Sequence, residues 1–339
     1  MDFYNLFKRM VRLKSPRMKL TLVTAARLLG MRYIGVFIDP VVACNIRCKM
    51  CYFSDPAKRP SPEGTLTTET ITRLKESVFP KAMKIQIGCG AEPTLYRGLP
   101  ALIRAGKEAG VPYIEMTTNG QLLTQEPLAE AIRAGLDGMT LSLHGTTKET
   151  YEELMQGASY DRLLSLIATL REVKAAYPGF KLRINYTVNN LNKNEILGLW
   201  QLFDGVRIDV LQVRPIQKLG DTAYNDFEIE EYERFVDETV TEIARRCRHD
   251  ATITLLPSKE NVEKVAHKNT PAISLIEEAT YCYVSPKSCY RPDFDPGKES
   301  IKRYQHRSGI AGRLIKGILS RHLRQETEDV NSSKKLNYS

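Results

Sequence analysis

The chain has 339 residues, 42% hydrophobic and 26% charged, the make-up of a globular protein with ample core for one large domain or two smaller ones. No apolar run is long enough to span a bilayer as a helix, and no secretory leader is expected, because Thr21, Thr24 and Arg27 interrupt the apolar stretch 20–30 and no small-residue cleavage site follows. Cysteines at metal-ligand spacing argue for a reducing compartment over disulfides, so a cytoplasmic location is expected.

The net charge of +9 is concentrated at the two ends: residues 1–30 carry seven Lys/Arg against Asp2 alone, and residues 301–324 carry seven with no acid. The remainder is mildly acidic. Both ends are also amphipathic. Phe3, Leu6, Phe7, Met10, Val11 and Leu13 recur at helical spacing in an N-terminal segment of residues 1–32. Ile310, Leu314, Ile315, Ile318 and Leu319 do the same in the segment 310–339, whose polar end, residues 325–339, reads as a disordered tail. The apolar faces either cap the ends of the domain or make peripheral contact with an anionic membrane. Nucleic acid is not expected, since the aromatic–basic interleaving of base-stacking platforms is absent.

From residue 33 to 220 short β-type runs alternate with helical patterns. The strands are expected at 34–39, 84–88, 113–117, 138–143, 181–188 and 208–213, and the helices at 67–78, 97–109, 125–134, 148–155, 160–176 and 193–203. Six strand–helix units in series imply parallel strands joined by right-handed crossovers, an α/β fold two units short of a closed eight-fold barrel. The fold class is therefore a partial (β/α)6 TIM-like barrel over residues 33–220.

A C-terminal α+β extension, residues 221–309, follows and is expected to pack over the open side or mouth of the barrel. In it, 227–246 reads as one long helix and 252–256 as a strand. Residues 281–292, with Cys282 and Cys289, read as a proline-turned loop. These two cysteines, with Cys247, either form a second metal or iron–sulfur site belonging to the extension or are half-buried thiols among packing tyrosines.

The most informative motif follows the first strand. Cys44, Cys48 and Cys51 have the spacing C-x3-C-x2-C on one tight loop. Three such thiolates can hold three irons of a cubane [4Fe–4S] cluster and leave the fourth iron open. Zinc is the rival, but it wants four ligands, and no histidine or fourth cysteine lies near this loop.

The loop resembles the cluster motif of the radical S-adenosylmethionine (radical SAM) superfamily, and weaker matches follow in the family's order. Residues 85–95, with Gly90-Ala91-Glu92-Pro93, look like its GGEP segment; 116–120, with Thr118-Asn119, like its TNG strand end; and 139–145, with Ser142 and His144, like its S-x-D-G strand end. Each sits at the C-terminal end of an expected strand, the rim where barrel enzymes carry their sites. The resemblance implies a [4Fe–4S] cluster on Cys44, Cys48 and Cys51 and S-adenosylmethionine on the open iron. It also implies a reducing donor of the flavodoxin or ferredoxin type.

The implied activity is reductive cleavage of S-adenosylmethionine to a 5′-deoxyadenosyl radical that abstracts hydrogen from a peptide or small-molecule substrate. Oxidation, epimerisation and other modification stay open as outcomes. The extension faintly resembles the SPASM/twitch subgroup, reduced because only Cys247, Cys282 and Cys289 lie beyond the barrel.

Cofactor contacts are then expected from Met50, where the family usually has an aromatic residue near the adenine, and from Tyr52. Gly90, Ala91, Glu92 and Pro93 are expected to receive the cofactor's ammonium, and Thr118, Asn119 and Ser142 to offer hydroxyl or amide groups. Asn189, and Arg214 beside Gln212, are expected at the ends of the last two strands. His144 stands where the family has Asp and is either a proton acceptor or a structural hydrogen-bonder. Cys89 is either a hydrogen-atom donor to a substrate radical or a buried filler. The alternative to an enzyme is an iron–sulfur electron carrier or redox-responsive binding protein. A carrier needs no cofactor pocket and would be expected to close its cluster with a fourth cysteine.

Overall fold

The computed structural model describes residues 15–57, 59, 64–215, 234–250, 252–256 and 271–320. The helical pattern expected at 3–13, the first part of the 227–246 helix and the 325–339 tail lie outside them. The chain enters through the helix Pro16–Leu28, capped by the Ser15 side chain, and reaches β1 (Ile34–Ile38). The cysteine loop contains a two-residue strand, β2 (Arg47–Cys48). Then come β3 (Ala82–Ile87), β4 (Tyr113–Thr118), β5 (Gly138–Leu143), the short β6 (Met155–Gln156), β7 (Lys181–Val188) and β8 (Val210–Pro215). The helices between them include Thr68–Ser77, Leu99–Glu108, Gln125–Ala134, Lys148–Leu154 and Tyr160–Ala176.

The expected helix at 193–203 is shorter than its pattern: a 3-10 turn, Ile196–Gly198, leads into Leu199–Leu202. The described part of the expected 227–246 helix is a π-helical turn, Val236–Val240, running into Thr241–His249. Strand β9 (Ile253–Leu255) lies where 252–256 was read as a strand.

β1, β3, β4, β5, β7 and β8 pair in that order, all parallel, as six βα units in series require. The sheet continues at both edges. β9 adds in parallel beside β8, and β10 (Tyr281–Ser285) adds in parallel beside β1, with β11 (Ser288–Cys289) antiparallel at the edge. This corrects the loop expected over 281–292. The run Tyr-Cys-Tyr-Val-Ser alternates as a strand does, and Pro286 sits in the hairpin turn, where it interrupts no ladder.

Cys282 is therefore a fully buried residue of the sheet's core, registered against Val36 of β1, and not part of a loop outside it. Cys289 faces Val284 across the hairpin, and Cys247 is buried on the helix Thr241–His249.

The period-2 alternation sorts the strand residues into two faces. On one lie Ile85, Ile114, Leu141, Ile184 and Leu211, all buried. Helices cover this face: a Cβ on Gly106 of Leu99–Glu108 would meet the side chains of Ile114 and Ile85. The other face is polar. It carries Gln86 bonded to Thr117 (2.8 Å), the buried ion pair Lys84–Glu115 (2.6 Å), Thr140, Ser142, Arg183, Asn185, Gln212 and Arg214.

One device recurs at the strand starts. The Asp137 carboxylate accepts the Ile114 amide (2.7 Å) and pairs with Lys107, while Asp209 accepts the Leu182 amide (3.0 Å) and pairs with Lys174 and Lys181. Each ties a strand to its neighbour and to a covering helix. Burial alone would raise the Asp209 pKa, but the bonds from Lys174, the Leu182 amide and Lys181 outweigh it and hold it below the usual range. Removing that carboxylate strands the nearly buried Lys174 ammonium. Asp209→Ala is therefore expected to lower unfolding stability by about 3 kcal/mol in a denaturant titration, with Lys174→Met in the same background recovering part of the loss.

Candidate cofactor site at the strand ends

The cysteine loop is tied down by its own polar groups. The Arg47 guanidinium donates to the carbonyls of Cys44 and Ile46 (both 2.7 Å), the Cys51 amide to Cys48 O (3.0 Å), and β2 pairs antiparallel with β6. The Lys49 amide reaches Leu154 O (2.9 Å) and its ammonium reaches Glu153 (2.7 Å). Met50 packs in a small cluster with Leu154, against which Cys48 also lies. It is buried at 4% exposure, so in this structure it braces the loop from inside.

Three of the predicted segments meet the loop or each other directly. The Asn119 side-chain amide donates to Asn45 Oδ1 (2.9 Å) and toward Cys44 Sγ (3.8 Å). The Glu92 amide donates to Ala43 O (2.9 Å), and the Tyr52 hydroxyl to Gly90 O (2.8 Å).

Glu92, 2% exposed, is the joint between β3 and β4. Its Oε1 accepts from the Thr94 amide (3.1 Å), the Thr94 hydroxyl (2.6 Å) and the Thr118 hydroxyl (2.7 Å), and its Oε2 accepts from the Asn119 amide (2.8 Å). Burial raises its pKa, and these donors pull it part of the way back. Pro93 opens the 3-10 turn Pro93–Leu95 just after it, and Ala91 is half-buried beside it. Gly88, at φ +80°, is required, because a Cβ there would run into the Thr117 carbonyl and the Pro93 ring.

The remaining expected residues stand on the next strands, apart from that contact set. Ser142 lies on β5 in register with Asn185 of β7, which is in register with Gln212 of β8. Asn189, fully buried past the end of β7, accepts the Leu191 amide (2.9 Å) with its Oδ1, while its Nδ2 has no partner. Arg214 lies across from Thr187, its pKa lowered by burial and then by the Arg183 charge. Cys89 is exposed at the rim.

His144 is buried, with Nδ1 facing the Thr187 amide (3.4 Å) and its carbonyl accepting from the Asn192 side chain (2.9 Å). Desolvation brings its pKa down from 6.5 to about 4, partly offset by a backbone bond at Leu143. Between those values the unfolded chain binds a proton that the folded one does not, so stability falls as pH drops through the window, by roughly 3 kcal/mol in full. Glutamine in place of His144 is expected to flatten the unfolding free energy between pH 6.5 and 4, measured by denaturant titration at each pH.

Asp39, which sequence reasoning missed, holds the site together. One residue past β1 and 3% exposed, it accepts the Cys89 amide (2.7 Å), the Gly90 amide (3.1 Å) and the Tyr283 hydroxyl of β10 (2.8 Å). The only signal was an acid closing an apolar strand. Asp39→Ala is expected to cost about 3 kcal/mol, and Asp39→Asn less, since Asn keeps one acceptor for the two amides. Thermal melts of both variants beside Tyr283→Phe check this order.

The donor set fits a cubane cluster. Cys44 and Cys51 both act on the Cys48 thiol, whose pKa is raised by burial first and by these two neighbours next. Among the described residues no three His, Cys, Asp or Glu side chains converge on a single ion, which a cubane does not ask of them, since each thiolate takes a different iron. The orphaned Asn189 Nδ2 and the fixed Gly90 loop are donors and acceptors of the kind a polar cofactor uses.

The family model described as the Radical SAM superfamily matches residues 38–194. The chain is 30% identical over 230 residues to a probable GTP 3′,8-cyclase of Metallosphaera sedula, covering 66% of this chain and 69% of that one. It is 27% identical over 231 residues to a probable GTP 3′,8-cyclase of Saccharolobus solfataricus, covering 66% and 71%. Among solved structures, Streptococcus suis SuiB bound to S-adenosylmethionine superposes with a TM-score of 0.59 at 19% identity, over 76% of this chain and 59% of that one. SuiB bound to its precursor peptide SuiA superposes at 0.62 and 17%, over 83% and 66%. The chain thus spans 59% and 66% of the length of these structures, under two thirds in both, and they carry the fold alone.

This chain belongs to the radical SAM superfamily and is an enzyme of that class. Membership implies a [4Fe–4S] cluster and S-adenosylmethionine.

Proposed function

We propose that Cys44, Cys48 and Cys51 ligate the [4Fe–4S] cluster, that S-adenosylmethionine lies over it against Gly90–Pro93, Thr118 and Asn119, and that the substrate sits on the polar face of the sheet. The observation that carries this reading is the direct contact of the three motif segments at one end of the parallel strands, through Asn119 to Asn45 and Cys44, Glu92 to Ala43, and Tyr52 to Gly90. When bound, the cluster and S-adenosylmethionine supply an electron and a 5′-deoxyadenosyl radical able to take hydrogen from unactivated carbon.

The chain's own residues orient and exclude. Asp39 and Tyr52 fix the Gly90 peptide so that the loop's backbone is set before a ligand arrives. Glu92 is spent largely on protein donors, so its part is to hold Thr118 and Asn119 in place, with Oε2 the less committed oxygen. Ser142, Asn189 and Arg214 extend the binding surface along the rim, and His144, neutral and buried, supports the end of β7. Tyr52 stacks at a tilt on Phe53 (4.8 Å between ring centres), which keeps its hydroxyl on Gly90.

The polar face favours a hydrophilic substrate, in keeping with the nucleotide in the relatives' name. Residues 33–220 form the catalytic unit in this reading, and the 221–309 extension lends β10 to it. A flavodoxin- or ferredoxin-type donor supplies the electron. An electron carrier is the weaker reading, because it has no use for the braced segments at Glu92 and Asn119.

Anaerobic reconstitution is expected to give a protein with four irons per chain that, once reduced, converts S-adenosylmethionine to methionine and 5′-deoxyadenosine. A triple Cys44→Ala, Cys48→Ala, Cys51→Ala variant is expected to hold no iron and to leave the cofactor intact. Cofactor cleavage by that variant would overturn the assignment.

A further inference from the structure

The described residues expose ten large apolar side chains, and five of them lie on two helices that pack together: Met18 (51%), Leu28 (66%) and Leu29 (75%) on or just past Pro16–Leu28, and Ile315 (46%) and Leu319 (72%) on Ile310–Leu319. Scattered exposed leucines need no explanation, but half of them on two adjoining helices do. Leu28 and Ile315 line one shallow groove of about 450 Å³, together with Thr24, Gly312 and Leu314. Leu319 follows Ile315 by one turn and continues its stripe.

The same segments carry an excess of positive charge. No acid occurs from residue 3 to 38 or from 300 to 325. Arg307 and Arg313 are engaged by Glu299 and Glu278, while Arg17, Lys302, Arg303 and Lys316 have no carboxylate partner among the described residues. The patch also lies away from the cofactor rim. Leu28 and Leu29 precede the start of β1, and Arg32 just after them bonds the carbonyls of Phe79, Ala82 and Ala109 before or at the starts of β3 and β4.

We infer that this face docks the enzyme on an anionic lipid surface, with Leu28, Leu29, Ile315 and Leu319 entering the headgroup–acyl boundary and Arg17, Lys302, Arg303 and Lys316 meeting lipid phosphates. Aliphatic side chains beside lysine and arginine are what an interfacial helix pair needs. A second copy is disfavoured, because it would bring two cationic patches face to face. Nucleic acid would use exposed aromatic rings for stacking, and the exposed apolar residues here are aliphatic.

The test is co-sedimentation of the full chain with vesicles of phosphatidylcholine alone or mixed with phosphatidylglycerol, at low and high salt. Binding is expected only to the mixed vesicles and should weaken with salt. Lys302→Ala and Lys316→Ala should each lower the partition coefficient roughly fivefold. Leu28→Asp with Leu319→Asp should abolish binding at an unchanged thermal midpoint and iron content.

Equal binding to neutral vesicles, or none to either kind, would sink the proposal. So would undiminished binding by the double aspartate variant, which would place the contact in the termini. A dimer that the aspartates dissociate would assign the face to a second copy. Duplex DNA competing the vesicles off the wild-type protein, with the aspartate variant still binding DNA, would mark the patch as a plain cationic surface and equally overturn the proposal.

Discussion

The rim depends on one buried carboxylate. Glu92 lies where a charge is costly, and the structure keeps it there with four donors from two different strand ends. Its position one residue before Pro93 leaves the side chain little freedom, because the proline fixes the turn that brings the Thr94 amide onto it. Take that carboxylate away and Thr118, Asn119 and Thr94 lose a common acceptor at a buried site. The Asn119 backbone would then lose the anchor that places its side-chain amide on Asn45 and Cys44. The geometry of the cysteine loop is thus set in part from another strand, and a β3–β4 interaction decides how a β1 loop is presented.

Asp39 plays the matching part on the other side and widens the site's dependence on the chain. Because the Tyr283 hydroxyl, 244 residues away on β10, completes its set of donors, β10 bears on the Cys89–Gly90 peptide. The extension is therefore part of the sheet and of the support for the loop. The same pairing explains Cys282: a residue registered against Val36 in a parallel sheet covered by helices has an apolar environment, which raises a thiol's pKa and suits it to packing.

Much of this was legible in the chain, and the reasons are local. Strands β5 and β7 and the helices Gln125–Ala134 and Tyr160–Ala176 have the bounds expected from alternation and helical period. There, one face of each element is uniformly buried and nothing competes with the pattern. The cysteine spacing and the segments around Glu92 and Asn119 were legible because each is a run of adjacent residues. What was hidden is what depends on long-range pairing. The strand Tyr281–Ser285 was obscured by Pro286, whose place in a hairpin turn shows only once β11 is seen to fold back. Asp39 was hidden because an acid after a strand is common and its donors come from two segments distant in the chain. Met50 was legible by its place in the motif, while its packing on Leu154 was not.

The two ends of the strands ask opposite things of the sequence. At the C-terminal ends, where the cofactor is proposed to bind, glycines, prolines and satisfied carboxylates prevail, and the polar face behind them is lined with Gln86, Thr117, Asn185 and Gln212. At the N-terminal ends the sequence spends polar groups on joining elements, as Arg32, Asp137 and Asp209 do. An exposed aliphatic stripe beside that second end, with cations that have no carboxylate partner among the described residues, serves neither purpose. Packing does not require it, since Leu20, Val23, Ile310 and Leu314 already bury the inner faces of the same helices. A surface that is dispensable to the fold and costly in water is one whose composition is set by what it touches, and docking through it would leave the opposite rim open to an electron donor and to substrate.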